Sequence, residues 1–259
     1  MSQTEKKSLW EVSMKISVAL AYYNGGKYIE KQVYSILGQL GEEDELIISI
    51  DDAADGSMEL LERLAGQDAR IRLLQGPGQG VVKNFENAIA ACGGEIIFLS
   101  DQDDIWKKNK VDRVMKAFRE NDVDVVLHNA ELMDGDEVIQ CGATMFDYRG
   151  SRTGLFKNFM KNSYVGCCMA FRSRIKDVIL PIPEQMYMHD YWIGTAGEKL
   201  AGTGLLKECL IQYRRHEDNV TDLTHGSLSF MIRKRISILR CLRILNRRVK
   251  TAGSLAKHN

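Results

Sequence analysis

The chain has 259 residues, 44% of them hydrophobic, and only three prolines, which excludes disorder and suits one large α/β domain or a domain with a small appendage. Lys+Arg 35 balances Asp+Glu 35, so bulk charge does not point to nucleic acid, and no run of about 18 apolar residues is present to span a membrane. Six cysteines show no paired metal spacing, and Cys167 and Cys168 sit inside an apolar run as small buried residues would. With no signal peptide ahead of the first strand, a reducing cytosol is the expected compartment.

The elements begin after a polar lead. Residues 15–21 read as a strand, Tyr22 to Gly26 as a turn, and 28–40 as a helix with apolar Ile29, Val33, Ile36, Leu37 and Leu40. A strand at 45–50, a helix at 58–64, a strand at 71–74, a helix at 80–92, a strand at 96–99 and a helix at 108–120 follow. This alternation is that of parallel βαβ units. Beyond residue 124 the pattern changes. Strands at 125–128 and 132–134 suggest a hairpin through Asp134-Gly135, with a helix at 152–161, a strand at 166–172, a helix at 190–200 and a strand pair or edge at 205–213. The first half thus reads as a nucleotide-binding sheet, and the second as an α+β extension shaping another pocket.

The segment from Gly94 to Trp106 is the most informative. An apolar strand delivers Asp101, Asp103 and Asp104 at its carboxyl end, the edge where open α/β sheets hold ligands. Carboxylates crowded there repel one another unless a cation joins them, and hard divalent metals prefer oxygen ligands. A solvated acidic turn capping the next helix is the competing reading. The glycines at 76, 78 and 80 fail the G-x-G-x-x-G spacing and read as a flexible loop. The same acidic run after a strand also resembles the nucleophile motif of haloacid-dehalogenase phosphatases, with Asp101 as nucleophile, although here three strands precede it.

Several segments taken in order carry a stronger likeness. They are Ile16 to Gly25, Tyr28 to Leu37, Lys83 to Ala88, Phe98 to Trp106, Asn162 to Phe171, Met188 to Trp192 and Tyr213 to Val220. Together they resemble family 2 glycosyltransferases of the GT-A fold, most of all the bacterial rhamnosyltransferase-like branch. The resemblance covers roughly residues 14 to 222. It implies an α/β fold with a Rossmann-like mixed sheet flanked by helices, divided into a nucleotide-sugar-binding half (14–124) and an acceptor-binding half (125–222). A basic amphipathic helical tail (223–259) would follow.

The resemblance also implies roles. Tyr23 would stack on the donor's base, Asp51 would accept from the pyrimidine imide N–H, and Lys83 would approach the base or the phosphates. Asp103 would ligate Mn²⁺ or Mg²⁺ directly, Asp101 would lie nearer the ribose and the metal's waters, and His216 would add a metal or diphosphate contact. Asp190 would be the general base of an inverting transfer, with His189 and Trp192 shaping the acceptor wall. Each has a plainer alternative: a packed core tyrosine or tryptophan, an exposed helical lysine, a structural histidine, or a helix N-cap for Asp190. Arg214 or Arg215 would clamp the diphosphate or simply lie at the surface. The preferred donor is dTDP-rhamnose, and the acceptor a hydroxyl of a lipid-linked surface polysaccharide intermediate. A UDP-hexose donor, a phosphatase and a non-catalytic nucleotide-sugar binding module are the alternatives.

One departure weakens base recognition. Where the family shows Ser-Asp-Asp-Gly-Ser-Thr-Asp, this chain has Ser49-Ile-Asp-Asp-Ala-Ala-Asp55. Ungapped alignment leaves Asp51 on the second acid and puts Asp52 at a position that favours positive φ, whereas a one-residue slip would put Asp51 and Asp52 on the acidic pair.

In the tail, residues 228–250 hold eight basic residues and no acid. Arg233, Arg240 and Arg247 share one helical face, interleaved with apolar residues. Such a helix suits an anionic leaflet, making the protein peripheral on the cytoplasmic face of the membrane, or it packs on the domain with a solvated face.

Overall fold

The computed structural model describes residues 14–134, 137–215 and 228–255, without the side chains of 140–143, 228–232 and 254–255. The first half follows the expected alternation. Ile16–Tyr23 (β1) is followed by Ile29–Leu37 (α1), Glu45–Asp52 (β2), Met58–Gln67 (α2), Ile71–Gln75 (β3), Val81–Ala91 (α3) and Ile96–Ser100 (β4). The short strand Ile105–Trp106 (β5) and helix Lys110–Glu120 (α4) come next. The second half comprises Val125–Met133 (β6), Ile139–Thr144 (β7), helices Met145–Arg149 (α5) and Leu155–Met160 (α6), Met169–Arg172 (β8), Lys176–Ile179 (α7), His189–Lys199 (α8), Thr203–Arg214 (β9) and Leu228–Leu255 (α9).

All nine strands join one sheet in the order β3-β2-β1-β4-β8-β6-β9-β5, with β7 paired to β6. Strands β1 to β4 are parallel, while β8 runs antiparallel to both β4 and β6. From β1 the chain moves outward through β2 and β3, then returns to β4 on the other side of β1. That reversal opens a crevice at the carboxyl ends of β1, β2 and β4.

Alternate side chains of the strands feed two cores, as the period of two requires. On one face Val18, Leu20, Ile48 and Phe98 pack with Ile29, Val33 and Ile36 of α1, Leu61 of α2 and Val114 and Phe118 of α4. On the other Ala19, Ile47, Ile97 and Leu99 pack with Phe85 of α3, Trp192 and Ile193 of α8, and Ile238, Cys241 and Leu245 of α9. The tail helix therefore lies on the domain through this stripe. Arg248 donates to the carbonyls of Val178 and Pro181, and Arg235 to that of Met160. Its outer face keeps Arg233, Ile236, Leu239, Arg240 and Arg247 exposed.

The second half departs from the sequence reading in detail. Two expected strands merge into β6, whose register with β9 shifts on either side of Asn129, so bulges interrupted the alternation. Likewise β9 is one long strand rather than a pair, and residues 166–168 form a 3-10 turn ahead of β8.

Trp192 is fully buried and its indole N–H donates to the Ile179 carbonyl at 2.7 Å. The expectation that it walls the acceptor site is corrected: it fills the core between α7 and α8. Trp192→Ala is expected to cost about 3–5 kcal/mol of stability, read from denaturant unfolding. Lost activity with an unchanged unfolding midpoint would return it to the site.

Candidate active site

The crevice holds a cavity of about 770 Å³, within the size range of small-ligand sites. Tyr23, Asp51, Asp101, Asp103, His189 and Asp190 all line it. Residues expected to act together, from sequence positions 23 to 190, thus meet in one place.

The acidic loop after β4 is held from several sides. The Gln102 amide grips β1: its oxygen accepts from the Tyr23 N–H at 2.7 Å and its nitrogen donates to the Tyr23 carbonyl at 2.8 Å. From α1, buried Gln32 donates to Ser100 Oγ and to the Asp101 carbonyl. From β9, buried Arg214 donates through its backbone N–H to Asp104 Oδ1 and through Nε to the Asp103 carbonyl. Arg214 also reaches Glu137 at 3.2 Å, so it braces the loop rather than clamping a diphosphate. Arg215 lies over the Tyr148 ring instead.

The carboxyls themselves are crowded. Burial, then the Asp103 charge, pushes Asp101 up to about 7, and the same causes raise Asp104. Asp101, Asp104 and Cys167 each offer a ligand atom within 4.8 Å of the others. Burial raises the Cys167 thiol, keeping it protonated, so the donors on offer are oxygens. Asp104 Oδ2 is buried without a hydrogen-bond partner. An orphaned carboxylate oxygen among crowded acids fits a hard divalent cation. Asp103 lines the same cavity but stands outside this closest group. Beneath it Lys110 is wholly buried, donating to the Cys167 carbonyl at 3.0 Å and lying 3.8 Å over the Trp106 ring. Burial lowers Lys110 to about 8.

At the base end, Tyr23 lines the cavity and is 62% exposed, while the core position belongs to Tyr22. Asp51 accepts the backbone N–H groups of Gly78 and Gly80 at 3.0 and 3.1 Å. The glycine loop read as flexible is therefore tied to Asp51. Gly76 has no room for a side chain, since a Cβ would lie 2.5 Å from Asp51 Oδ1. Asp52 turns elsewhere, accepting from Asn24 and Ala54, and its φ is not positive. Lys83 is another correction: its ammonium donates to Glu86 at 2.9 Å and to the Ile182 carbonyl at 3.2 Å, away from the cavity. His216 lies outside the described residues.

Asp190 sits in the first turn of α8, where the helix dipole favours its charge. The N-cap is Met188, so Asp190 is not the capping residue; its carboxylate accepts the Tyr191 N–H next to it. Burial raises Asp190 to about 6, against the lowering by that hydrogen bond and by the charges of Arg149 and Lys234. His189 stacks on Phe85 with centroids 3.9 Å apart, and both its ring nitrogens are buried without partners. Burial drops it to about 3, so it is a neutral imidazole.

Sequence reasoning named Asp104 in the acidic run without giving it a role, and it missed Gln102 and Arg149 as site residues. Gln102 lies within the acidic run, where the carboxylates on either side drew the attention. Arg149 comes from a helix with no motif around it.

The geometry has counterparts among known proteins. The model of the glycosyl transferase family 2 matches residues 17–179, more than half of the chain. An uncharacterized glycosyltransferase of Nostoc sp. is 32% identical over 125 residues, 48% of this chain but only 39% of that relative. The chain thus spans well under half of that protein. The putative teichuronic acid biosynthesis glycosyltransferase TuaG of Bacillus subtilis is 25% identical over 212 residues, 80% of this chain and 81% of TuaG. Among solved structures, S. aureus TarS 1-349 in complex with UDP-GlcNAc superposes with a TM-score of 0.67 at 20% identity, over 91% of this chain and 72% of that one. At that identity the likeness is one of fold, and the fold is GT-A. With the family model running from β1 through the acidic loop and β8 to α7, the chain belongs to glycosyl transferase family 2.

Proposed function

We propose that the protein is an inverting, metal-dependent glycosyltransferase that moves a sugar from a nucleotide-diphosphate donor to a hydroxyl of a surface-polysaccharide intermediate. The observation that carries it is the meeting, in one cavity, of an aromatic face, a crowded acid loop and a separate buried carboxylate of raised pKa. Tyr23 stacks the base, Asp51 accepts its imide N–H, and Asp190 takes the acceptor hydroxyl's proton as the oxygen attacks the anomeric carbon. Asp101 and Asp103, with Asp104 behind them, would hold Mn²⁺ or Mg²⁺. When bound, that cation supplies charge against the departing diphosphate. His189, a cavity residue with unpaired ring nitrogens, would help shape the acceptor wall.

Uracil and thymine present the same imide N–H, so Asp51 does not choose between them. The resemblance to the rhamnosyltransferase-like branch favours dTDP-rhamnose. A UDP-hexose is the second reading, favoured by the UDP-GlcNAc held in the structurally similar TarS. The basic outer face of α9, with Ile236 and Leu239 exposed beside its arginines, supports peripheral contact with an anionic cytoplasmic leaflet, where a lipid-linked acceptor would reside.

A donor panel tests the proposal. With Mn²⁺ present, slow hydrolytic release of nucleotide diphosphate is measured from dTDP-rhamnose, UDP-glucose and UDP-GlcNAc. One donor is expected to stand out by about tenfold or more. Hydrolysis of simple phosphate monoesters instead, lost in Asp101→Asn but not in Asp190→Asn, would favour the phosphatase.

A further inference from the structure

Around Asp190 gathers more positive charge than that one carboxylate balances. Arg149, the last residue of α5, lines the cavity, and its buried Nε finds no hydrogen-bond partner. Lys234 lies close by on α9, with Nζ 3.9 Å over the Tyr187 ring, which in turn lies 5.8 Å from the Tyr191 ring. Both cations act electrostatically on Asp190, and Lys234 also feels the repulsion of Arg149 and Arg235. Arg235 lies 4.9 Å over the Phe159 ring and spends one N–H on the Met160 carbonyl. The ion pairs among the described residues include none of the three.

Like charges gathered around a half-buried spot work against the fold unless an anion joins them. Burial already lowers Lys234, so its ammonium gains by meeting one. In the transferase reading the donor's diphosphate lies by the acidic loop. The anion on the Asp190 side therefore arrives with the other substrate.

We propose that Arg149, Lys234 and Arg235 form a subsite for a phosphate or diphosphate group on the acceptor. The inference rests on the transferase reading above. It deepens that reading by naming the acceptor class: a phosphate-bearing glycan carrier rather than a neutral oligosaccharide. Guanidinium and ammonium groups recognise phosphate through charge-assisted hydrogen bonds, and the orphaned Nε of Arg149 supplies one such donor. Lys234 comes from the helix whose opposite face is basic and apolar, so a lipid-borne phosphate would approach along α9 while its sugar hydroxyl faces Asp190. The tail helix is thereby part of the acceptor site.

The test is a calorimetric titration of decyl diphosphate into full-length protein saturated with UDP and Mn²⁺. A repeat in nucleotide-free, metal-free protein judges the cluster even if UDP does not bind. Decyl β-glucoside is the neutral control, and sn-glycerol 3-phosphate stands for a phosphate without a lipid chain. Decyl diphosphate is expected to bind beside UDP, and to weaken roughly tenfold or more in Arg149→Gln and again in Lys234→Gln. Equal weakening of glycerol 3-phosphate would assign the subsite to phosphate polymers, and its failure to bind to lipid-linked diphosphates. Arg240→Gln, on the outer face, is expected to leave all of these unchanged. Melting temperatures near that of the parent show that each variant folds.

Binding no tighter than the glucoside, or insensitivity to both substitutions, would overturn the proposal. So would displacement of UDP, which would give the cations to the donor. A loss as large in Arg240→Gln, together with adsorption to phosphatidylglycerol vesicles, would reduce the effect to a general membrane charge. Absence of UDP binding with metal present contradicts the donor reading separately.

Discussion

Asp190→Asn is expected to lower kcat by about 10²- to 10⁴-fold, the usual worth of a positioned general base, with donor affinity retained. Asparagine keeps the shape and can still accept the Tyr191 N–H, but it takes no proton. The pH profile supplies an independent signature. Burial raises Asp190 to about 6, and only its ionised form serves as a base, so activity should climb as pH rises through about 6 and then level off. The stability effect has the opposite sign. A carboxyl whose folded pKa lies above its ordinary value of 3.8 binds its proton more tightly when folded. Its ionisation therefore destabilises the fold progressively as pH rises through 3.8 to about 6. The Asn variant should accordingly be no less stable than the parent at pH 7, and to melt at or above its temperature. A large drop in melting temperature would make Asp190 a structural residue. An unchanged acid limb in Asp190→Asn would assign that limb to another group.

Most of the first half was legible in the sequence because its strands are buried on both faces and read as apolar runs, as in Ile96 to Leu99. Its helices carry clean amphipathic spacing. The second half was harder for a physical reason. Bulges beside Asn129 break the period there; in the first half only the two-residue strand β5 escaped notice, being defined by its pairing with Gln212 and Ile211. In the site, the acidic loop and the start of α8 were singled out because motif and chemistry coincide there, and both line the cavity. Lys83 and Trp192 lie in segments of the same likeness, yet one pairs with Glu86 and the other donates into the core. A motif fixes where a residue lies along the chain, and side-chain direction decides its role. Arg149 and Lys234 carried no signal, because their meeting depends on α5 and α9 packing around Asp190.

Asp103→Ala is expected to remove the metal-dependent part of nucleotide binding, weakening it by about a hundredfold, close to 3 kcal/mol. A diphosphate entering the cavity meets Asp101, Asp103 and Asp104 within four residues of chain. Without a cation their charges oppose it, and Asp101 is already pushed up to about 7 by burial and by Asp103. With a cation, the same crowding becomes a ligand set. Tyr23 and Asp51 contribute base contacts that do not depend on metal, so weak residual binding should persist in the variant.

The most direct measurement is calorimetric titration of UDP and dTDP into the protein, with and without Mn²⁺, beside Asp103→Ala. The account predicts binding that strengthens with Mn²⁺ in the parent and does not in the variant, the tighter nucleotide naming the donor class. Binding of neither nucleotide in the presence of metal, or equal binding in parent and variant, would contradict it.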